Sequence, residues 1–182
     1  SPVITSASSA SAAENQTVVT TVASSDVDGG TAVYSIAGGA DAALFTINAS
    51  TGALTFVAAP NFEAPTDGGS NNVYDVTVQV ADGNGGTDTQ AIAVTVINVN
   101  EAPVITSNGG GATAAVSAAE NQTAATTVVS TDVDGGAPSY GIVGGADAAL
   151  FAIDGATGAL TFVTAPDFES PADVGADNIY DV

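Results

Sequence analysis

Internal repetition constrains this chain more than any other feature. Glu14-Asn15-Gln16-Thr17 recurs as Glu120-Asn121-Gln122-Thr123, and Asp26-Val27-Asp28-Gly29-Gly30 recurs as Asp132-Val133-Asp134-Gly135-Gly136. Gly38 through Phe45 recurs as Gly144 through Phe151, Pro60-Asn61-Phe62-Glu63 as Pro166-Asp167-Phe168-Glu169, and Val73-Tyr74-Asp75-Val76 as Ile179-Tyr180-Asp181-Val182. Each pair is offset by 106 residues, and the ten aromatics pair off the same way. A period of that length is one domain, so the chain must build the same fold twice. The opening Pro2-Val3-Ile4-Thr5-Ser6 returns at Pro103 through Ser107, an offset of only 101. The second copy therefore holds five extra residues in or near Asn108-Gly109-Gly110-Gly111, a Gly-rich loop where an insertion costs little.

The seam is Asn98-Val99-Asn100-Glu101-Ala102-Pro103, which divides the chain into repeats 1–102 and 103–182. The second copy stops at Val182, the counterpart of Val76, so it lacks the equivalent of Thr77 to Asn100. Missing strands expose sheet edges; the expectation is a piece of a longer array, or an end completed by another molecule.

Within one copy, Pro2–Thr5, Thr17–Ala23, Ala32–Ile36, Phe45–Ile47, Ala53–Val57, Val73–Val80 and Thr89–Val99 read as strands, with one helical turn over Ala40–Leu44. Val73 to Val80 alternates apolar with polar, as a half-buried strand does. Asn48-Ala49-Ser50-Thr51-Gly52 and Gly83-Asn84-Gly85-Gly86 are turns between strands. Seven short strands in about 100 residues predict an all-β fold, two tandem Greek-key β-sandwiches of immunoglobulin-like type.

Charge narrows function. The chain carries 20 Asp plus Glu and no Lys, Arg or His, a formal charge of −20. Nucleic acid is excluded as a partner, because phosphate needs cationic side chains; an anionic membrane surface is excluded likewise. No apolar run approaches the roughly 20 residues of a membrane helix. With no His, Cys, Lys or Arg, the usual acid–base and nucleophilic groups are missing, and the chain reads as non-enzymatic.

With the strands in place, the acids fall at two poles of each sandwich. Glu14, Asn61, Glu63, Asn98, Asn100 and Glu101 belong to a trailing pole, and Asp26, Asp28 and Asp82 to the opposite, leading pole. In the second copy Asp132 and Asp134 take the leading pole, so the seam would collect Glu14, Glu63, Glu101, Asp132 and Asp134. Without counter-charge each close carboxylate pair costs on the order of a kcal/mol or more. Many oxygens with no nitrogen or sulfur ligand suit Ca²⁺ better than Mg²⁺ or Zn²⁺.

In these motifs the chain resembles cadherin repeats and the cadherin-like repeats of bacterial surface adhesins. The family motifs xEN, DxD, LDxE, AxDxG and DxNDNxP are matched by Ala13-Glu14-Asn15, Asp26-Val27-Asp28, Pro60-Asn61-Phe62-Glu63, Val80-Ala81-Asp82-Gly83 and Asn98 through Pro103. The resemblance implies that Glu14, Glu63 and Glu101, with Asn98 and the Asn100 carbonyl, bind Ca²⁺ together with Asp132 and Asp134. It implies that Asp26, Asp28 and Asp82 complete a site with a preceding repeat, and that Glu120, Asp167 and Glu169 begin one with a following repeat. Asn98 and Asn61 stand where the family has Asp, and Glu101 likewise replaces Asp, so fewer or weaker ions are expected. The absence of Trp removes the anchor for strand-exchange adhesion.

The expected function is a calcium-rigidified spacer in the stalk of a secreted or cell-surface adhesin or fibre. Its partners would be neighbouring repeats of the same chain or fibre, with any glycan or protein ligand bound elsewhere in the full-length protein. A carbohydrate- or protein-binding module and a subunit of a self-assembling extracellular filament are the alternatives.

Overall fold

The computed structural model describes residues 1–182 and separates into two compact units, Ser1–Asn100 and Glu101–Val182. The first unit contains β1 (Val3–Ile4), β2 (Ser9–Ala13), β3 (Val18–Thr21), β4 (Ser24–Ser25), β5 (Val33–Gly38), β6 (Phe45–Ile47), β7 (Ala53–Phe56), β8 (Val73–Ala81) and β9 (Thr87–Ile97). A single 3-10 turn, Ala42–Leu44, stands where one helical turn was expected.

Two sheets face each other. One has the order β2-β9-β8-β5; the other has the order β3-β7-β6, with a short β1–β4 ribbon beside them. β8 and β9 supply most of the core because their side chains alternate across the sheet. Tyr74, Val76, Val78 and Val80 of β8 and Ile92, Val94 and Val96 of β9 are all buried, while the residues between them are more exposed. From the other sheet Phe45 and Phe56 stack at 4.6 Å, and the Tyr74 ring meets Phe56 edge-on at 5.2 Å. Aromatic contacts of this geometry tie the two layers together.

The all-β sandwich matches the sequence expectation, with two strands added, β2 and β4. Ser9–Ala13 was not expected to be a strand, yet it runs parallel to β9 from Ser9↔Ala93 to Ala13↔Ile97. Its Ser-Ala composition lacks the β-branched and aromatic residues that mark strands; pairing with β9, and not propensity, makes it extended. The expected Thr17–Ala23 strand ends at Thr21, and Ser24–Ser25 pairs instead with β1.

The second unit contains β10 (Val104–Ile105), β11 (Ala124–Thr127), β12 (Ser130–Thr131), β13 (Phe151–Ile153) and β14 (Ala159–Phe162). Its sheets are β11-β14-β13 and the β10–β12 ribbon. Gly39 and Gly145, both at positive φ, let the chain pass where an added Cβ would strike the Asp75 and Asp181 carbonyls respectively, a close approach open only to glycine.

Candidate metal centre

At the trailing pole of the first unit, β2 delivers Glu14 to a buried position, 2% exposed. Its two oxygens are held separately: Phe62 N–H donates to Oε2 at 2.8 Å, and Val99 N–H donates to Oε1 at 2.8 Å. Each carboxylate oxygen has two lone pairs, so both retain capacity for a cation. Glu63 brings an oxygen within 4.8 Å of a Glu14 oxygen, and Asn98 Nδ2 donates to Glu63 Oε1 at 3.2 Å. Asn61 Oδ1 accepts the Ala64 N–H at 2.9 Å, which closes the loop that carries Glu63. Asn100 is exposed at the end of the unit.

The second unit repeats the arrangement in a more open form. Glu120, Asp167 and Glu169 are exposed, and each places an oxygen within 4.8 Å of the others. Phe168 N–H donates to Glu120 Oε2 at 3.1 Å, the counterpart of the Phe62–Glu14 bond, and Glu169 N–H donates to Asp167 Oδ1 at 3.1 Å. Repulsion between exposed carboxylates this close is about 1 kcal/mol per pair in water.

At the leading pole of the first unit, Asp26 and Asp82 line one hollow of about 130 Å³ with Pro2, Ser24, Gly30 and Ala32. Asp28 N–H donates to Asp26 Oδ1 at 2.9 Å, an Asx turn that Asp-Val-Asp-Gly-Gly favours. Asp26 Oδ2 is buried with no hydrogen-bond partner, which is costly for an anionic oxygen. Asp82 Oδ1 accepts N–H bonds from Asn84 at 2.7 Å and Gly86 at 2.9 Å. These bonds, that of Asn84 foremost, hold the Asp82 carboxyl below its usual range against the opposing effect of burial. In the second unit Glu101 N–H donates to an Asp134 oxygen at 2.6 Å, and Asp134 N–H donates to Asp132 Oδ1 at 3.1 Å.

The donor set therefore fits a hard cation in chemistry: carboxylate and amide oxygens, one of them buried and unpartnered at Asp26.

Not every acid belongs to a pole, and here the sequence expectation needs correction. Asp41 and Asp67 are 5% and 4% exposed, and both spend their oxygens on backbone. Asp41 accepts N–H bonds from Gly68 at 2.7 Å and Asp75 at 2.8 Å. Asp67 accepts three, from Gly69, Asn71 and Asn72, each at 3.0 Å. Burial pushes the Asp67 carboxyl up, but the N–H bonds of Asn71, Asn72 and Gly69 together outweigh it and hold the carboxyl below its usual range. Asp147 and Asp173 repeat the pair, accepting N–H bonds from Val174 and Asp181, and from Asp177 and Asn178. These four carboxylates are internal staples of the loop before the β8 position. Their signal in the sequence was their repetition at the common offset inside Gly- and Asn-rich turns, where a polar side chain commonly satisfies backbone N–H groups.

Comparison with known proteins agrees with the fold. Residues 1–95 match the family described as bacterial Ig domain. The structure is similar to human protocadherin-24 EC1-2 (form II), with a TM-score of 0.60 at 20% identity over 94% of this chain and 81% of that one. It is also similar to mouse cadherin-23 EC22-24, with a TM-score of 0.50 at 20% identity over 88% of this chain and 52% of that one. At such identities the likeness is one of fold. Halomucin from Haloquadratum walsbyi is 59% identical over 34 residues, 19% of this chain, and the chain spans a share of halomucin that rounds to 0%. No helix is long and apolar enough to cross a membrane.

Proposed function

The chain belongs to the bacterial Ig domain family, and from that premise we propose that it is a calcium-rigidified structural repeat, a spacer in the stalk of an extracellular adhesin or fibre. Domains of the bacterial Ig and cadherin-like kinds are usually extracellular and non-enzymatic. The observation that carries the reading is the convergence of Glu120, Asp167 and Glu169 oxygens within 4.8 Å, in a chain with no basic side chain.

Ca²⁺ would supply positive charge and tolerant oxygen coordination. Glu14 is preset for it, because backbone bonds to Phe62 and Val99 fix both oxygens before any ion arrives. Glu63 is steered by Asn98, and Glu101 follows Asn98 by three positions in the chain. Glu101 is in turn bonded through its N–H to Asp134. Cation binding at the acids on either side of the Asn98–Pro103 seam would neutralise them and stiffen the linker. Asp26, Asp28 and Asp82 would serve a preceding repeat in the same way, and Glu120, Asp167 and Glu169 a following one.

Thermal unfolding in excess EGTA and then in about 1–10 mM Ca²⁺ tests this, since extracellular Ca²⁺ modules bind in the range of roughly 0.1–1 mM. At about a hundredfold excess over Kd the expected stabilisation is about 2.7 kcal/mol, with little from Mg²⁺. Glu101→Ala with Asp134→Ala should lose the part due to the linker, and Glu120→Gln with Glu169→Gln the part due to the second unit's trailing pole. An unchanged melting temperature in Ca²⁺ would sink the proposal.

A further inference from the structure

The chain has two Asn-Gly dipeptides, Asn84-Gly85 and Asn108-Gly109, each followed by a second glycine. Such dipeptides are chemically labile because glycine leaves the peptide nitrogen unshielded. Their surroundings differ. Asn84 lies in the β8–β9 turn between Gly83 and Gly85, which have φ of 76° and 99°, and a Cβ on either would meet nothing within 4 Å. Asp82 Oδ1 holds the Asn84 and Gly86 N–H groups, while the Gly85 N–H between them is outside that cradle. Asn108 instead has its side-chain amide tied down: Nδ2 donates to Thr126 Oγ1 at 3.3 Å, and the Thr126 hydroxyl donates to Oδ1 at 3.4 Å.

We propose that Asn84 is a spontaneous deamidation site, and that the fold directs this ageing chemistry to Asn84 and away from Asn108. The Gly85 nitrogen loses its proton and attacks Asn84 Cγ. The N–Cγ bond forms, the Cγ–Nδ2 bond breaks, and ammonia leaves with the proton, giving a cyclic succinimide. Water then opens the ring at Cγ to give aspartate, or at the backbone carbonyl to give isoaspartate. Either product places a new carboxylate beside the Asp26 turn. The Asn84 amide lies against Gly30, 3.4 Å from where a Gly30 Cβ would stand, with Asp82 Cβ 3.2 Å from the same point. Isoaspartate also lengthens the backbone inside the Asp82 cradle and so disturbs the leading pole. Only this consequence for cation binding rests on the function proposed above; the site of modification does not.

The test is peptide mapping of the full chain after prolonged incubation, folded and in guanidinium. Trypsin cannot cut a chain without Lys or Arg, so an acid-specific protease and chymotrypsin are used. In denaturant the two sites should lose their amides at similar rates, because their local sequences match. In the folded chain Asn84 should run several-fold ahead of Asn108, Asn84→Gln should stop its reaction, and Thr126→Val should bring Asn108 towards the Asn84 rate. Equal rates in the folded chain, or an intact Asn84 when the denatured chain has reacted, overturn the proposal. A failed calcium response with Asn84 still ahead would count against the metal reading alone.

Discussion

Two related repeats give unequal structures in the two units. The hairpin sheet is the same in both. Val18↔Thr55, Thr20↔Leu54 and Thr21↔Ala53 are matched by Ala124↔Thr161, Thr126↔Leu160 and Thr127↔Ala159, down to the bulge between the first two pairs. The aromatic trio is also kept, with Phe151 and Phe162 at 4.5 Å and Tyr180 edge-on to Phe162 at 5.1 Å. The large sheet is not. Val33–Gly38 is a strand paired with β8, whereas Ser139–Gly144 is irregular and Val143 is fully exposed. Short-range pairing across a turn forms in both units. The β5 position also differs in sequence, Ala32-Val33-Tyr34-Ser35 against Pro138-Ser139-Tyr140-Gly141, and Pro removes a ladder donor while Gly weakens a strand interior.

The comparison is broken most directly in the core. Leu54 is 0% exposed and Leu160 is 9% exposed, under one face of the same hairpin sheet. Leu54→Ala should cost about 2–5 kcal/mol. Leu160→Ala should cost clearly less, because its site has fewer neighbours to leave stranded. Hydrogen exchange, read separately on the two units during urea unfolding, measures both. Equal losses would mean that burial in the large sheet adds nothing to the hairpin core.

The loop staples should behave alike in the two units, since Asp41 and Asp147 are 5% and 4% exposed and hold equivalent N–H groups. Asp41→Ala and Asp147→Ala should each cost about 1–3 kcal/mol, the range for orphaning buried donors. A loss confined to the first unit would show that the staple works only beneath a complete sheet.

Acid provides a gentler probe. The Asp67 and Asp173 carboxyls are held below their usual range in the folded state. The unfolded chain therefore binds more protons as pH falls, and stability present above the ordinary aspartate value of about 3.9 is lost on descending through the folded values. Both units should loosen together below about pH 4. Asp67→Asn should flatten that slope in the first unit and Asp173→Asn in the second, as followed by near-UV circular dichroism.

How much of this was legible can be traced to particular residues. Val73 to Val80 announced its strand by alternation. Ser9–Ala13 was hidden because its strand state comes from β9, more than eighty residues away. The convergence of Glu120, Asp167 and Glu169 was legible from the spacing of acids at the repeat's loop ends. The staples Asp41 and Asp67 were not, because a carboxylate that binds backbone looks in sequence like one that awaits an ion. Only the fold shows which N–H groups surround it.

The smallest effect is the most specific. The trailing poles differ at one side chain of their loops, Asn61 in the first unit and Asp167 in the second. Asn61 Oδ1 accepts the Ala64 N–H, and Asp167 Oδ1 accepts the Glu169 N–H, so both side chains serve their loop through one oxygen. Exchanging amide for carboxylate at Asn61 keeps that bond and replaces a neutral donor group with a second anionic oxygen beside Glu14 and Glu63. Asn61→Asp should therefore lower stability slightly in EGTA, by less than about 1 kcal/mol for an exposed charge, and raise it in Ca²⁺. Asp167→Asn should do the reverse in the second unit. Calorimetric titration and paired melting curves resolve the two signs. If both substitutions moved stability in the same direction with and without Ca²⁺, the carboxylates at these poles would be acting on the loops alone, and the difference between the two poles would have no bearing on cations.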